Sequence, residues 1–177
     1  VTATKASVPG LYVGTSGWSY PTWRPGFYPA GVKPGEFLGH YADRLPSVEL
    51  NSTGYRIPAE DQFRRWAEQT PAAFRFAVKM QAYQLRQAAT FEERVRLLGE
   101  RLGPIRILVT SARDEGFLAL ALGSLHPELR IAFDFRHDSW AGVELPENAV
   151  QVNDHQARAP FRYLRFRDPP YSERQLS

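Results

Sequence analysis

The feature that most constrains this chain is an alternation of short strand-like runs with segments of helical period. Seven runs rich in β-branched and aromatic residues recur: Leu11 to Trp18, Ser47 to Ser52, Phe74 to Met80, Ile105 to Ala112, Arg130 to Arg136, Ala149 to Asp154 and Phe161 to Arg167. Helical patterns fill most of the gaps before the fifth run. In "PGEFLGHYADRL" Phe37, Leu38, Tyr41 and Leu45 share a face, as do Phe63, Trp66 and Ala67 in "PAEDQFRRWAEQT". Thr90 and Glu93 have the spacing of a capping box for a helix through "FEERVRLLGERL", and "DEGFLALALGSL" supplies a fourth helix. Strands alternating with helices of this size imply βαβ units, so the expected class is α/β with a parallel sheet.

The last third departs from this pattern. Only His137 to Asn148 separates the fifth and sixth runs, and only His155 to Pro160 the sixth and seventh. A parallel crossover needs a dozen residues or more, so these units are expected to be shortened or incomplete, with few helices. Neither repeats nor a linker divide the chain. Residues 1–10 read as an N-terminal extension and residues 11–177 as a single domain, with enough apolar sequence for one core. The start "VTATKASVPG" has no basic and apolar leader pattern, and no run of about 18 apolar residues occurs, so a cytoplasmic protein without membrane contact is expected.

Cysteine is absent, which removes disulfides, thiolate metal sites and a cysteine nucleophile. Of the 22 basic residues only Lys5, Lys33 and Lys79 are lysine; the rest are arginine, which suits bidentate contacts to phosphate or carboxylate. A net charge of +3 is small for a nucleic-acid binder.

Parity decides which strand residues share a face. Val48 and Leu50 oppose Glu49 and Asn51; Phe74, Phe76 and Val78 oppose Arg75, Ala77 and Lys79; Ile131, Phe133 and Phe135 oppose Ala132, Asp134 and Arg136. One face is apolar and suits a helix layer, while the other turns polar at the C-terminal strand ends. Extending the argument adds Gly14, Ser16, Gln151, Asn153, Tyr163 and Arg165 to that polar face. If the sheet curls into a barrel, these residues gather at the rim where (β/α) barrels build active sites.

Such a group has two readings. Glu49 or Asp134 acts as general acid or base while Lys79, Arg136 and Arg165 hold an anion and Asn51 orients it. Alternatively, the charges only pair with one another and specify the interior. Just past the fifth strand, His137 is a candidate base or a loop cap, and Trp140 a lid or a ligand platform. The loop after the first strand gathers Trp18, Tyr20, Trp23, Phe27 and Tyr28, for which packing is the simpler role; Trp18 is equally suited to stacking on a ligand ring. The four histidines show no metal-ligand spacing, so neither a metal nor a cofactor is expected.

Four ordered motifs, "VGTSGWSYPTWRPGFYPAG", "YADRLPSVELNSTGYRIP", "FRRWAEQTPAAFRFAVKM" and "AFDFRHDSW", closely resemble signatures of the YecE-like family, the domain of unknown function seventy-two. The resemblance is weaker in "FRYLRFRDPPYSERQL". It implies a TIM-type (β/α) barrel, here shortened to about seven strands, and it implies no settled activity. Where the family carries a Thr-His pair after the third strand, this chain has Ala89 and Thr90; where the family ends a late strand in Arg-x-His-Gly, Arg167 replaces the His. The family's Gln-Leu-Pro-Pro run after the fourth strand and a last strand and helix after "YSERQL" are also missing, which predicts a divergent member.

Three functional expectations follow. The first is a hydrolase-type enzyme that binds a phosphate- or carboxylate-bearing small molecule, or a phosphodiester, at the C-terminal rim. The second is a non-catalytic module for nucleic acid or protein, and the third an inactive member whose charges are structural. The oligomeric state is not legible.

Overall fold

The computed structural model describes residues 9–167. Among them, β1 (Gly14–Ser16), β2 (Ser47–Leu50), β3 (Arg75–Gln81), β4 (Leu102–Val109), β5 (Ile131–Phe135) and β6 (Ala149–Gln151) form one sheet. The strands lie in chain order and every neighbouring pair is parallel. The order never reverses, as it would at the switch point of a doubly wound sheet; each crossover winds onward. Helices α1 (Phe37–Ala42), α2 (Glu60–Glu68), α3 (Ala88–Arg96) and α4 (Glu115–Ser124) fill four of the crossovers.

The apolar strand face forms the core as parity requires. Phe76, Val78, Ile105, Ile107, Val109, Ile131 and Phe133 are fully buried together with Phe63 of α2, Phe91 and Val95 of α3 and Ala121 of α4. A bulge at the start of β4 keeps this pattern in register: Phe76 pairs with Leu102 but Val78 with Ile105, so β4 spends one extra residue there. The consequence is that Arg106, Cα partner of Lys79, lies on the opposite face from Ile105 and Ile107.

The sheet curls toward its polar face. β2 and β6 stand four spacings apart, ~19 Å in a flat sheet. Yet the Tyr163 hydroxyl, from the chain beyond β6, donates to Glu49 Oε2 on β2 at 2.6 Å. The ladder runs from β1 to β6 and does not return to β1 among the described residues.

Six strands rather than seven is the main correction. β6 ends at Gln151, and the chain turns at Asn153, whose φ of 67° is the left-handed conformation that Asn tolerates. Residues 161–167 then run beside this turn without a strand ladder. Asn153 N–H donates to Tyr163 O at 2.9 Å, and its carboxamide bonds both Arg165 N–H (2.6 Å) and Arg165 O (3.2 Å), so one side chain replaces the backbone partner. The β6 parity is also the reverse of that expected: Gln151 pairs with Phe133, and Val150, opposite Ala132, carries the inner face.

β1 is shorter than the run from Leu11, because β2 offers no partner before Ser47; Leu11, Tyr12 and Val13 are left exposed. The Thr90–Glu93 capping box does not form. α3 starts three residues earlier, entered from the 3-10 turn Ala82–Gln87, and it is Gln81 and Gln84 that cap that turn reciprocally. Between β5 and β6 there is no α-helix. Trp140 takes its place, stacked on Phe135 with centroids 4.1 Å apart and donating Nε1–H to Ser111 O at 2.9 Å. No helix among the described residues is long and apolar enough to cross a membrane.

Candidate functional site

The residues that converge on the inner face are organised by Arg106. Its Nε and Nη2 donate to Glu49 Oε2 and Oε1 at 2.7 and 3.1 Å, and its Nη1 to Asp134 Oδ2 at 2.5 Å. One guanidinium from β4 therefore clamps carboxylates from β2 and β5, and all three groups are buried. Arg106 was not singled out from the sequence. The signal was available: in "IRILV" the alternation places Arg106 opposite Ile105 and Ile107, the same test that identified Glu49 and Asp134.

Glu49 accepts from four side chains. Besides Arg106, it takes the Tyr163 hydroxyl at 2.6 Å, Ser16 Oγ–H at 3.3 Å and Arg165 Nη2 at 3.3 Å. Burial alone would raise its pKa, but Arg106, the Tyr163 hydrogen bond and Arg165 outweigh that and hold the carboxyl below its ordinary value. The opposite holds for Tyr163, whose pKa is raised by burial and by the neighbouring Glu49 charge, so it stays a neutral donor. Burial also works against the Arg106 charge, yet Glu49 and Asp134 more than compensate and its pKa is raised.

The outer side of this clamp is cationic. Arg136 Nη2 donates to Asp134 Oδ2 at 2.8 Å with its side chain 36% exposed, and Arg165 also reaches Ser16 Oγ at 3.2 Å. Asn51 Nδ2–H donates to the same Ser16 hydroxyl, which links β1 and β2 to the chain beyond β6. Lys79 sits beside Arg106 on the next strand and directs its ammonium over the Tyr55 ring, 5.2 Å from the centroid. Four cations thus surround two carboxylates.

The aromatic candidates are engaged elsewhere. Trp18 packs edge-on to Trp66 of α2 at 5.9 Å, and Trp23 and Phe27 pack on Tyr28 and Tyr41. A groove of about 400 Å³ lined by Thr15, Trp23, Phe27 and Leu45 lies with Thr15 on the opposite side of β1 from Ser16. Trp140 is buried against Phe135. His137 is exposed, and its Nδ1 accepts from Ser139 N–H at 3.2 Å, capping the turn Asp138–Trp140. Among the described residues no group of three or more His, Asp or Glu is arranged to hold a metal ion.

A family model described as "Protein of unknown function DUF72" matches residues 12–159 of this chain. The chain belongs to the DUF72 family. Among its DUF72 relatives, UPF0759 protein YecE of Escherichia coli (strain K12) is 29% identical over 159 residues, covering 82% of this chain and 56% of that protein. UPF0759 protein YunF of Bacillus subtilis (strain 168) is 26% identical over 172 residues, covering 94% of this chain and again 56% of the relative. The chain therefore spans just over half the length of the curated relatives it matches. The crystal structure of a DUF72 family protein from Thermotoga maritima superposes with a TM-score of 0.61 at 27% identity, over 80% of this chain and 63% of the other. A DUF72 family protein from Enterococcus faecalis shares the fold at a TM-score of 0.56 and 21% identity, over 73% and 57%.

Proposed function

We propose that this DUF72 chain forms the greater part of a (β/α) barrel wall and binds an anionic small molecule, phosphate- or carboxylate-bearing, at the C-terminal mouth. The observation that carries this reading is the charge count at one end of the sheet. Arg106, Arg136 and Arg165 face Glu49 and Asp134, a surplus of one positive charge before Lys79 beside them is counted, with Arg136 exposed and Arg165 partly so. A cluster that served only to neutralise itself would carry equal numbers. The buried clamp of Arg106, Glu49 and Asp134 fixes the frame, and the outer cations contact the ligand.

Hydrolysis of the bound anion would require a proton carrier. Glu49 is engaged by four side chains with a lowered pKa, which favours anchoring over proton transfer for this residue. Binding is thus the part of the reading with the best support.

Calorimetric titration with inorganic phosphate tests it. Saturable binding is expected, weakened about tenfold, ~1.4 kcal/mol, in Arg136→Met and unaltered in Arg64→Met on the exposed face of α2. Absence of saturable binding, or equal loss in both variants, refutes the reading.

A further inference from the structure

The strand register sets two cations side by side on the inner face, and only one of them is neutralised. Lys79 and Arg106 are Cα partners on β3 and β4. Like charges at opposed positions destabilise one another, and the arginine resolves the conflict by taking both buried carboxylates. The ion pairs of the cluster all belong to arginines. Lys79 keeps an aromatic ring, Tyr55, as its contact.

The lysine is also held in place. A Cβ on Gly54 would lie 2.9 Å from Lys79 Cδ and 3.0 Å from Cγ, so the aliphatic stem lies directly over that glycine. Thr53 Oγ1–H donates to Lys79 O at 2.7 Å and to Leu50 O at 2.8 Å, tying the loop after β2 to β3. The Tyr83 hydroxyl donates to Gly54 O at 3.1 Å and Tyr55 O at 3.3 Å, and so fixes the backbone of the ring beneath the ammonium. A half-buried amine, positioned at the C-terminal end of a strand beside a guanidinium that keeps its proton and takes both nearby carboxylates, meets the conditions that activate a lysine as a nucleophile.

We propose that Lys79 captures the carbonyl of a small oxo-acid as an imine, with the substrate's carboxylate held by Arg136 and Arg165. The lysine nitrogen bonds to the carbonyl carbon, the C–O bond breaks, and the oxygen leaves as water with the two amine hydrogens; no oxidant or reductant takes part. The surroundings of Lys79 weaken its hold on the ammonium proton. Burial, then Arg106, then Arg165 lower its pKa, against opposite pulls from Glu49 and Asp134. The oxo-acid class rests on the anion-binding reading; the reactivity of the amine rests on the register and packing of Lys79.

The chain's three lysines make the test direct, because Lys33 is an exposed internal reference. The protein is incubated near neutral pH with glyoxylate or with uncharged acetaldehyde in the presence of cyanoborohydride, and the sites of alkylation are mapped by peptide mass spectrometry. The proposal expects Lys79 to be modified many-fold faster than Lys33, with a greater preference for Lys79 under glyoxylate than under acetaldehyde. The half-maximal rate should come at lower pH than for Lys33. Gly54→Ala, which displaces the stem, should slow labelling of Lys79, and Lys79→Arg should remove the label. Modification of Lys79 no faster than Lys33 by either aldehyde overturns the proposal, whatever the phosphate titration reports. Selective but equal labelling by both aldehydes overturns the oxo-acid assignment and counts against the anion site itself.

Discussion

Replacing Arg106 with methionine isolates what the buried clamp contributes. The substitution keeps most of the aliphatic volume and removes three hydrogen bonds at once, two to Glu49 and one to Asp134. Glu49 retains Tyr163, Ser16 and Arg165, and Asp134 retains Arg136, so neither carboxylate is wholly stranded. Removing one partner from a buried pair costs about 3–5 kcal/mol. For a chain of this size that lowers Tm by ~6–20 °C, at 2–4 °C per kcal/mol. The pH dependence follows from the lowered Glu49 pKa: its pairing stabilises the fold above the unfolded-state value of about 4.3 and is lost as pH falls through the folded-state value. Without Arg106 the buried carboxyl protonates more readily, so the deficit of the variant should be largest at neutral pH and shrink below about pH 4. Urea unfolding of both proteins across that range reads it. A deficit under about 1 kcal/mol at neutral pH, as for an exposed pair, would refute the reasoning, as would a deficit independent of pH.

Two further outcomes follow from the same geometry. Tyr163→Phe deletes the 2.6 Å bond to Glu49 and nothing else of the ring, at a cost of about 1.5–3 kcal/mol; because that bond helps depress the Glu49 pKa, the midpoint of acid unfolding should move to higher pH. Gly14→Ala would bring a Cβ to 1.9 Å from Ser47 O, which forces β1 away from β2. Hydrogen exchange should then accelerate at Gly17 N–H, bonded to Glu49 O at 2.9 Å in the wild type, and unchanged protection would mean that the edge strand is not seated as described.

Much of the fold was legible because parallel strands buried on one side write a period of two into the chain. That period separated Phe76 and Val78 from Lys79, and Phe133 from Asp134, and it placed Glu49 and Asp134 on the face where they are found. It went unapplied to the fourth strand, where Arg106 was legible by the same rule. It failed at Gln151, because a strand of three residues carries too little pattern to fix its phase. The seventh run had a strand's composition, yet composition cannot report that the Asn153 carboxamide occupies the bonding groups a neighbouring strand would use.

The sequence by itself thus determined the α/β class, the parallel winding, the helix-facing core and the end of the sheet at which charge collects, since each is a local period or a local alternation. Tertiary structure alone decided which charge answers which. Arg106 lies 57 residues from Glu49 and 28 from Asp134, and Tyr163 lies 114 from Glu49. Such pairings exist only once the sheet has curled, and the lysine left beside the clamp acquires its unusual surroundings from that curvature and the register of β3 on β4.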